Sequence, residues 1–281
     1  MISIALALVS AVAYGTSDFF GALASRRIDA LRVILLTYPV STLLITAAAP
    51  FVGGRLSPEA LLWGGASGVA TAVAIWWYYL ALADGPISVV SPVAAILVTA
   101  IPVIAGVTLG ERPSALAVVG IVLAVIALPL VSRSASGGTH ARRFTPRVAR
   151  LTVGSGVLFG LSFVFTGQMP ADGGLWPLAF ARAVAAGVII SAALRLGRAK
   201  PVGGGLFWLA VMIGVFDAVA NVAMLYAFRT GLLSLASVVI SLYPAVTVAF
   251  AVGVVRERVG RVQMAGLGLA GAAILTIAVG G

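Results

Sequence analysis

Long apolar runs, broken at near-regular intervals by Gly, Pro or a charged residue, fill this chain from one end to the other. The breaks delimit ten expected helices. In the first part of the chain they are about Ile2–Ala24, Val33–Val52, Leu61–Ala83, Ile87–Leu109 and Ala115–Val131. In the second they are about Val148–Met169, Trp176–Leu194, Phe207–Phe228, Leu232–Val255 and Val262–Val279. Most are long enough to cross about 30 Å of hydrocarbon. The connections are too short to hold a soluble domain, and the longest, rich in Ser, Gly and Arg, runs from Ser132 to about Arg147.

Composition sharpens this picture. Of 281 residues, 61% are apolar and 9% charged, with a mean hydropathy of +1.15; an ordinary soluble domain is about 25% charged. A soluble core of this length would leave much apolar surface in water. Soluble enzymes, nucleic-acid-binding domains and disorder are therefore excluded, and the chain reads as an all-α, polytopic membrane protein. The net charge of +10 does not point to nucleic acid, because the basic residues sit between apolar segments. There is no cysteine, and the single histidine, His140, lies in the basic connection. Met-Ile-Ser-Ile at the start carries no basic residue, which argues against a cleavable signal peptide.

The two halves are related. A shift of 146 residues aligns Gly68–Ala127 with Gly214–Ala273 without a gap, and seventeen of the sixty positions are identical. Composition alone gives roughly six. Gly85/Gly231, Ser88/Ser234, Ser91/Ser237, Glu111-Arg112/Glu257-Arg258 and Gly120/Gly266 are shared, and Tyr14-Gly15 matches Phe159-Gly160. This internal repeat divides the chain into residues 1–132, a basic connection 133–147, and residues 148–281. Five helices per repeat is an odd number, so the second repeat is expected to lie inverted in the membrane, with a substrate site at the repeat interface near the midplane. Fourteen Lys and Arg follow helices 1, 3, 5, 7 and 9, whereas Arg55, Arg112 and Arg229 lie at the other side and Arg182 inside a helix. The positive-inside rule puts the basic side in the cytoplasm and both termini outside the cell membrane.

Three stretches carry a family resemblance: Tyr14-Gly-Thr-Ser-Asp-Phe-Phe-Gly-Ala-Leu-Ala-Ser-Arg-Arg27; Gly110-Glu111-Arg112, echoed by Arg256-Glu257-Arg258; and Ala179-Phe-Ala-Arg182. Together with the repeat they resemble the drug/metabolite transporter superfamily, in particular its EamA-type members. The likeness covers nearly the whole chain. It implies a secondary carrier that exports or exchanges small metabolites, with a path lined by helices 1, 3, 4, 6, 8 and 9. It also implies cytoplasmic termini, against the charge count; the charge count is followed here.

Three charges fall inside apolar segments, and none has a charged partner in the repeat. Asp18 aligns with Phe163, Asp217 with Thr71 and Arg182 with about Tyr38. Scaffold features should appear in both halves, so unpaired charges point toward substrate chemistry, and they should face the bundle interior or a wet cavity. Asp217 lies near the middle of helix 8, with Asn221 one turn later on the same face. It suits reversible proton binding or contact with a substrate cation, the alternative being an ion pair that fixes packing. As a lone carboxylate, it should tolerate replacement by Asn without loss of fold. The planar fork of Arg182 suits a substrate carboxylate or phosphate, unless it snorkels or pairs with an acid. Asp18 reads as a gate or relay, or as a partner of Arg26 or Arg27.

Other segments are compatible with a path wall. Helices 4 and 9 open on Gly85-Pro-Ile-Ser88-Val-Val-Ser91-Pro92 and Gly231-Leu-Leu-Ser234-Leu-Ala-Ser237; Pro92, Pro102 and Pro244 free carbonyls that Ser hydroxyls or a ligand can meet. A tight turn and a bent, well-packed helix explain the same residues. Trp76-Trp77-Tyr78-Tyr79 reads as an interfacial belt, or its Trp76 and Tyr79 face as a pocket wall. Gly64-xxx-Gly68 and Gly156-xxx-Gly160 suit close helix packing within the bundle or a homodimer contact. The basic cluster Arg142–Arg150 can hold anionic lipid headgroups as well as set topology.

No Walker-type loop surrounds Lys200, no His-Glu-x-x-His occurs, and no Gly-x-Ser-x-Gly elbow is present. No cofactor, metal or catalytic group is expected. The sequence leads to a gradient-driven carrier for a small organic metabolite, amino-acid-like or similar. Translocation of a sugar nucleotide or lipid-linked headgroup, and a non-transporting membrane scaffold, remain as alternatives.

Overall fold

The computed structural model describes residues 1–25, 30–85, 87–131, 145–195, 197, 204–254 and 260–280. Among them the regular structure is helical. The first half holds α1 (Ile2–Ser25), α2 (Ala30–Val52), α3 (Pro58–Asp84), α4 (Ile87–Thr108) and α5 (Ala115–Val131). The second holds α6 (Pro146–Gly167), a 3-10 turn at Ala171–Gly173, α7 (Trp176–Arg195), α8 (Gly205–Thr230), α9 (Leu233–Ser241), α10 (Tyr243–Gly253) and α11 (Arg261–Gly280). Eight segments, with α9 and α10 counted as one, are long and apolar enough to span a membrane; Val93–Thr108 and Ala115–Val131 are shorter apolar helices.

Local chemistry sets several helix ends. α3 starts three residues before the position expected from hydropathy, because Ser57 accepts a hydrogen bond from the Ala60 N–H (3.1 Å) and Pro58 occupies the first turn. Thr145 and Pro146 start α6 in the same way. The expected single helix Leu232–Val255 is instead two, α9 and α10, broken at Leu242. Pro244 cannot donate a backbone hydrogen bond there, and tighter bonds from Leu242 N–H to Val239 O (3.2 Å) and Ala245 N–H to Leu242 O (2.9 Å) turn the chain.

The main helix contacts are matched when the two repeats are exchanged. α1 lies on α8 as α6 lies on α3, α4 on α6 as α9 and α10 on α1, and α3 on α7 as α8 on α2. The self-paired contacts, α2 with α7, α4 with α9 and α5 with α11, lie on the exchange axis. Lipid-soluble helices gain little from burying apolar surface against each other, so close backbone approach matters more. Gly64 and Gly68 provide it: a Cβ at either would run into the carbonyl of Pro177 or Ala181 on α7. Gly214 sits in the same way against α2, at Thr37 O. The Gly156 and Gly160 pair packs on α4 at Leu97 and Ile101. All four glycines of the two small-residue motifs are therefore used inside the bundle.

Bonds among the described residues tie one end of the bundle together, the closed end: Arg229 donates to Pro170 O (2.8 Å), Arg55 N–H to Asp172 O (3.2 Å), Ser3 Oγ to Ala227 O (2.8 Å) and Ser114 Oγ to Gly280 O (2.5 Å). At the other end Arg147 and Asp84 form an exposed pair at 3.7 Å. The broken helix follows the same gradient. Every residue of α9, at the closed end, is buried, and no residue of α10 is.

Candidate functional site

A cavity of about 530 Å³ lies between the repeats. It extends to Gly21, Ala22, Val33 and Leu82 near the Asp84–Arg147 end, and toward the closed end it reaches Tyr14, Met224 and Ser241 on one side and Thr166 and Leu178 on the other. The repeat alignment predicts its lining well. Asp18, Arg182 and Asp217 line it, and so do their aligned counterparts Phe163, Tyr38 and Thr71.

The three charges are not equivalent. Arg182 on α7 is 5% exposed, and its guanidinium bonds the Asp217 carboxylate of α8. Its planar face lies over the Tyr38 ring, 4.3 Å from the centroid. Tyr38 is the repeat counterpart of Arg182, so this contact spans the exchange axis between α2 and α7. The Ala181 carbonyl against Gly68 holds α7 close to α3 one residue before Arg182. Arg182 Nε is the guanidinium nitrogen left without a partner. The ion pair weighed for each of these residues from sequence is present, and the two are each other's partners: 35 residues apart in sequence, Arg182 and Asp217 neutralise each other.

Asn221 faces the same cavity, but its side chain donates back to the Asp217 backbone carbonyl (2.7 Å). Asp18 is exposed into the cavity and makes no hydrogen bond or ion pair among the described residues. Arg26 and Arg27, its alternative partners, lie outside the described residues.

The remaining predicted positions separate. Tyr79 lines the cavity; Trp76 does not, and sits in an outer groove with Val184 and Val188 of α7. The cavity-facing stripe of α3 runs through Gly68, Thr71, Ile75, Tyr78 and Leu82, which leaves Trp76 on the flank. Ser234 and Ser237 are fully buried in α9 behind the cavity, with Ser237 Oγ donating to Ser234 O (3.0 Å). The side chains of Ser88 and Ser91 lie outside the described residues. Tyr14, noted from sequence only in the repeat and the family stretch, and Tyr243 add two more rings to the wall, tilted at 53° with centroids 6.1 Å apart.

Glu111, noted only as part of a duplicated motif, has a definite role. Its carboxylate accepts from the backbone N–H groups of Leu233 (2.5 Å) and Ser234 (3.0 Å), capping the start of α9 from a loop 122 residues away.

The pattern of the EamA-like transporter family matches residues 1–133 and again residues 148–279. The chain belongs to the EamA-like transporter family. It is a membrane-embedded, multi-pass protein built of two EamA repeats. A solved crystal structure shares the fold of this EamA-family chain with a TM-score of 0.78, covering 99% of this chain and 97% of its own. At 16% identity that likeness speaks for the fold alone. None of the curated proteins matches the sequence.

Proposed function

We propose that the protein is a secondary transporter that moves a small organic metabolite, amino-acid-like or similar, by efflux or exchange. The observation that carries this reading is a charged cavity at the repeat interface, walled off by bonded segments at the Arg229 end and lined as far as Gly21, Ala22 and Leu82 toward the other. In this reading ten helices cross the membrane as two inverted five-helix repeats, and the cavity changes sides by alternating access. The Arg147 end faces the cytoplasm and both termini face outward, as the charge count requires. The sugar-nucleotide alternative has less support, because the guanidinium that would meet a phosphate is already held by Asp217 and Tyr38.

Two experiments test this. Purified protein in sealed vesicles should accelerate uptake of at least one member of a panel of small metabolites over empty vesicles. Accelerated uptake of none, with folded protein, would leave a scaffold as the better reading. For orientation, a single cysteine can be placed at Ala171 or Ser136 in a chain that has none. An impermeant thiol reagent applied to intact cells should label position 171 and spare position 136; the reverse pattern would invert the orientation.

A further inference from the structure

The charge balance of the cavity points to the class of its ligand. Among the described lining residues, Asp18, Asp217 and Arg182 carry charge, two negative and one positive. Since Arg182 and Asp217 are paired, the remaining charge is one carboxylate, Asp18, which opens on the cavity and bonds none of the described residues. A protein with a net charge of +10 has thus built a negative site at its centre. An unpaired charge inside a bundle is costly and marks a functional position.

Rings share the cavity with that carboxylate: Tyr14, Tyr38, Tyr79 and Tyr243 all line it. The face of Tyr38 already carries a cation, the Arg182 guanidinium. Tyr14 and Tyr243 form an angled corner beside it. A second feature is independent of the charges. Ser241, beside the helix break at Leu242, lines the cavity at 2% exposure with its Oγ lacking any hydrogen-bond partner. A buried hydroxyl oxygen of this kind is an acceptor in want of a donor.

We propose that the cavity binds a small organic cation, an aryl-alkyl ammonium whose charge meets Asp18 and whose N–H groups and methylenes pack among Tyr14, Tyr79, Tyr243 and Ser241. Carboxylate plus tyrosine faces is the chemistry that recognises ammonium groups. A volume of about 530 Å³ suits a molecule of this size. The repeat supplies Phe163 where the other half has Asp18, so the site holds one charge and offers a ring on its far side. The proposal rests on the transporter reading for its role but on the cavity alone for its chemistry.

The test uses three probes with one skeleton and three charges: phenethylamine, phenylalanine and phenylacetate. Calorimetric binding to the purified full chain should rank the amine first, the amino acid well behind it, and the carboxylate last. Asp18→Asn should keep the melting midpoint, because the amide keeps the side chain's shape and no bond to a described residue is lost, and weaken amine binding about tenfold or more. Tyr79→Leu should weaken it about two- to thirtyfold, and Tyr79→Phe, which keeps the ring, should restore most of the affinity. Phenylacetate binding as tightly as the amine, unchanged affinity in Asp18→Asn, or binding of none of the three would overturn the proposal. Vesicle flux separates the two readings. Movement of the amino acid or the carboxylate but not the amine keeps the transporter and removes the cation site. Asp18-dependent amine binding, with no solute moved, keeps the site and removes the transporter.

Discussion

Asp217→Asn is expected to destabilise the protein by about 3–5 kcal/mol, the loss typical of breaking one half of a buried ion pair. Sequence alone suggests the opposite, since a lone midplane carboxylate is relieved of a buried charge when it becomes an amide. The geometry reverses the sign because the change strands Arg182, 5% exposed, with the Tyr38 ring as its remaining support. Arg182→Gln should cost less. The carboxylate it leaves behind is 16% exposed and opens on the cavity, where it keeps some water. The double variant Arg182→Gln/Asp217→Asn removes both charges and should recover most of the loss. A thermodynamic cycle from the four melting curves then gives the coupling directly. Additive losses would mean that the pair does not hold α7 to α8, and that each residue acts alone.

The sequence made the frame of this site legible and left its wiring unread. The internal repeat was enough to bring Asp18, Arg182, Asp217 and their counterparts Phe163, Tyr38 and Thr71 into consideration together, and all six line one cavity. Pairing was not legible. Arg182 and Asp217 belong to consecutive helices that touch little, because α2 packs against both α7 and α8. Helix facing was equally obscure on α3, where Trp76 and Tyr79 are one turn apart yet one faces an outer groove and the other the cavity. Apolar residues surround such helices, so no polar stripe marks the inner face. The break at Leu242 went unread because Pro244 looks in sequence like Pro102, which continues its helix. Glu111 was visible as a duplicated motif, but a helix cap supplied from 122 residues away leaves no local signature.

That cap leads to the second large effect. Glu111→Gln should shift the carrier away from the conformation described here by roughly ten- to a hundredfold. The carboxylate holds two N–H groups at the start of α9, Leu233 and Ser234, both buried. Glutamine keeps one acceptor oxygen and loses the charge and the second, so about 1.5–3 kcal/mol of charge-assisted bonding disappears. If the sealed end opens during the cycle, α9 must leave this cap, and the loss falls on the sealed conformer alone. Two single-cysteine reporters distinguish a shifted equilibrium from a loosened fold. Ser237 is fully buried in α9 at the sealed end, and Gly21 lines the cavity toward the Asp84–Arg147 end with space for a side chain. In Glu111→Gln, thiol labelling should rise at Ser237→Cys and fall at Gly21→Cys, because opening one end closes the other. A rise at both positions would show that Glu111 serves only stability. No change at either would mean that the cap does not distinguish the two conformations, and that the seal rests on Arg229 and the packed glycines instead.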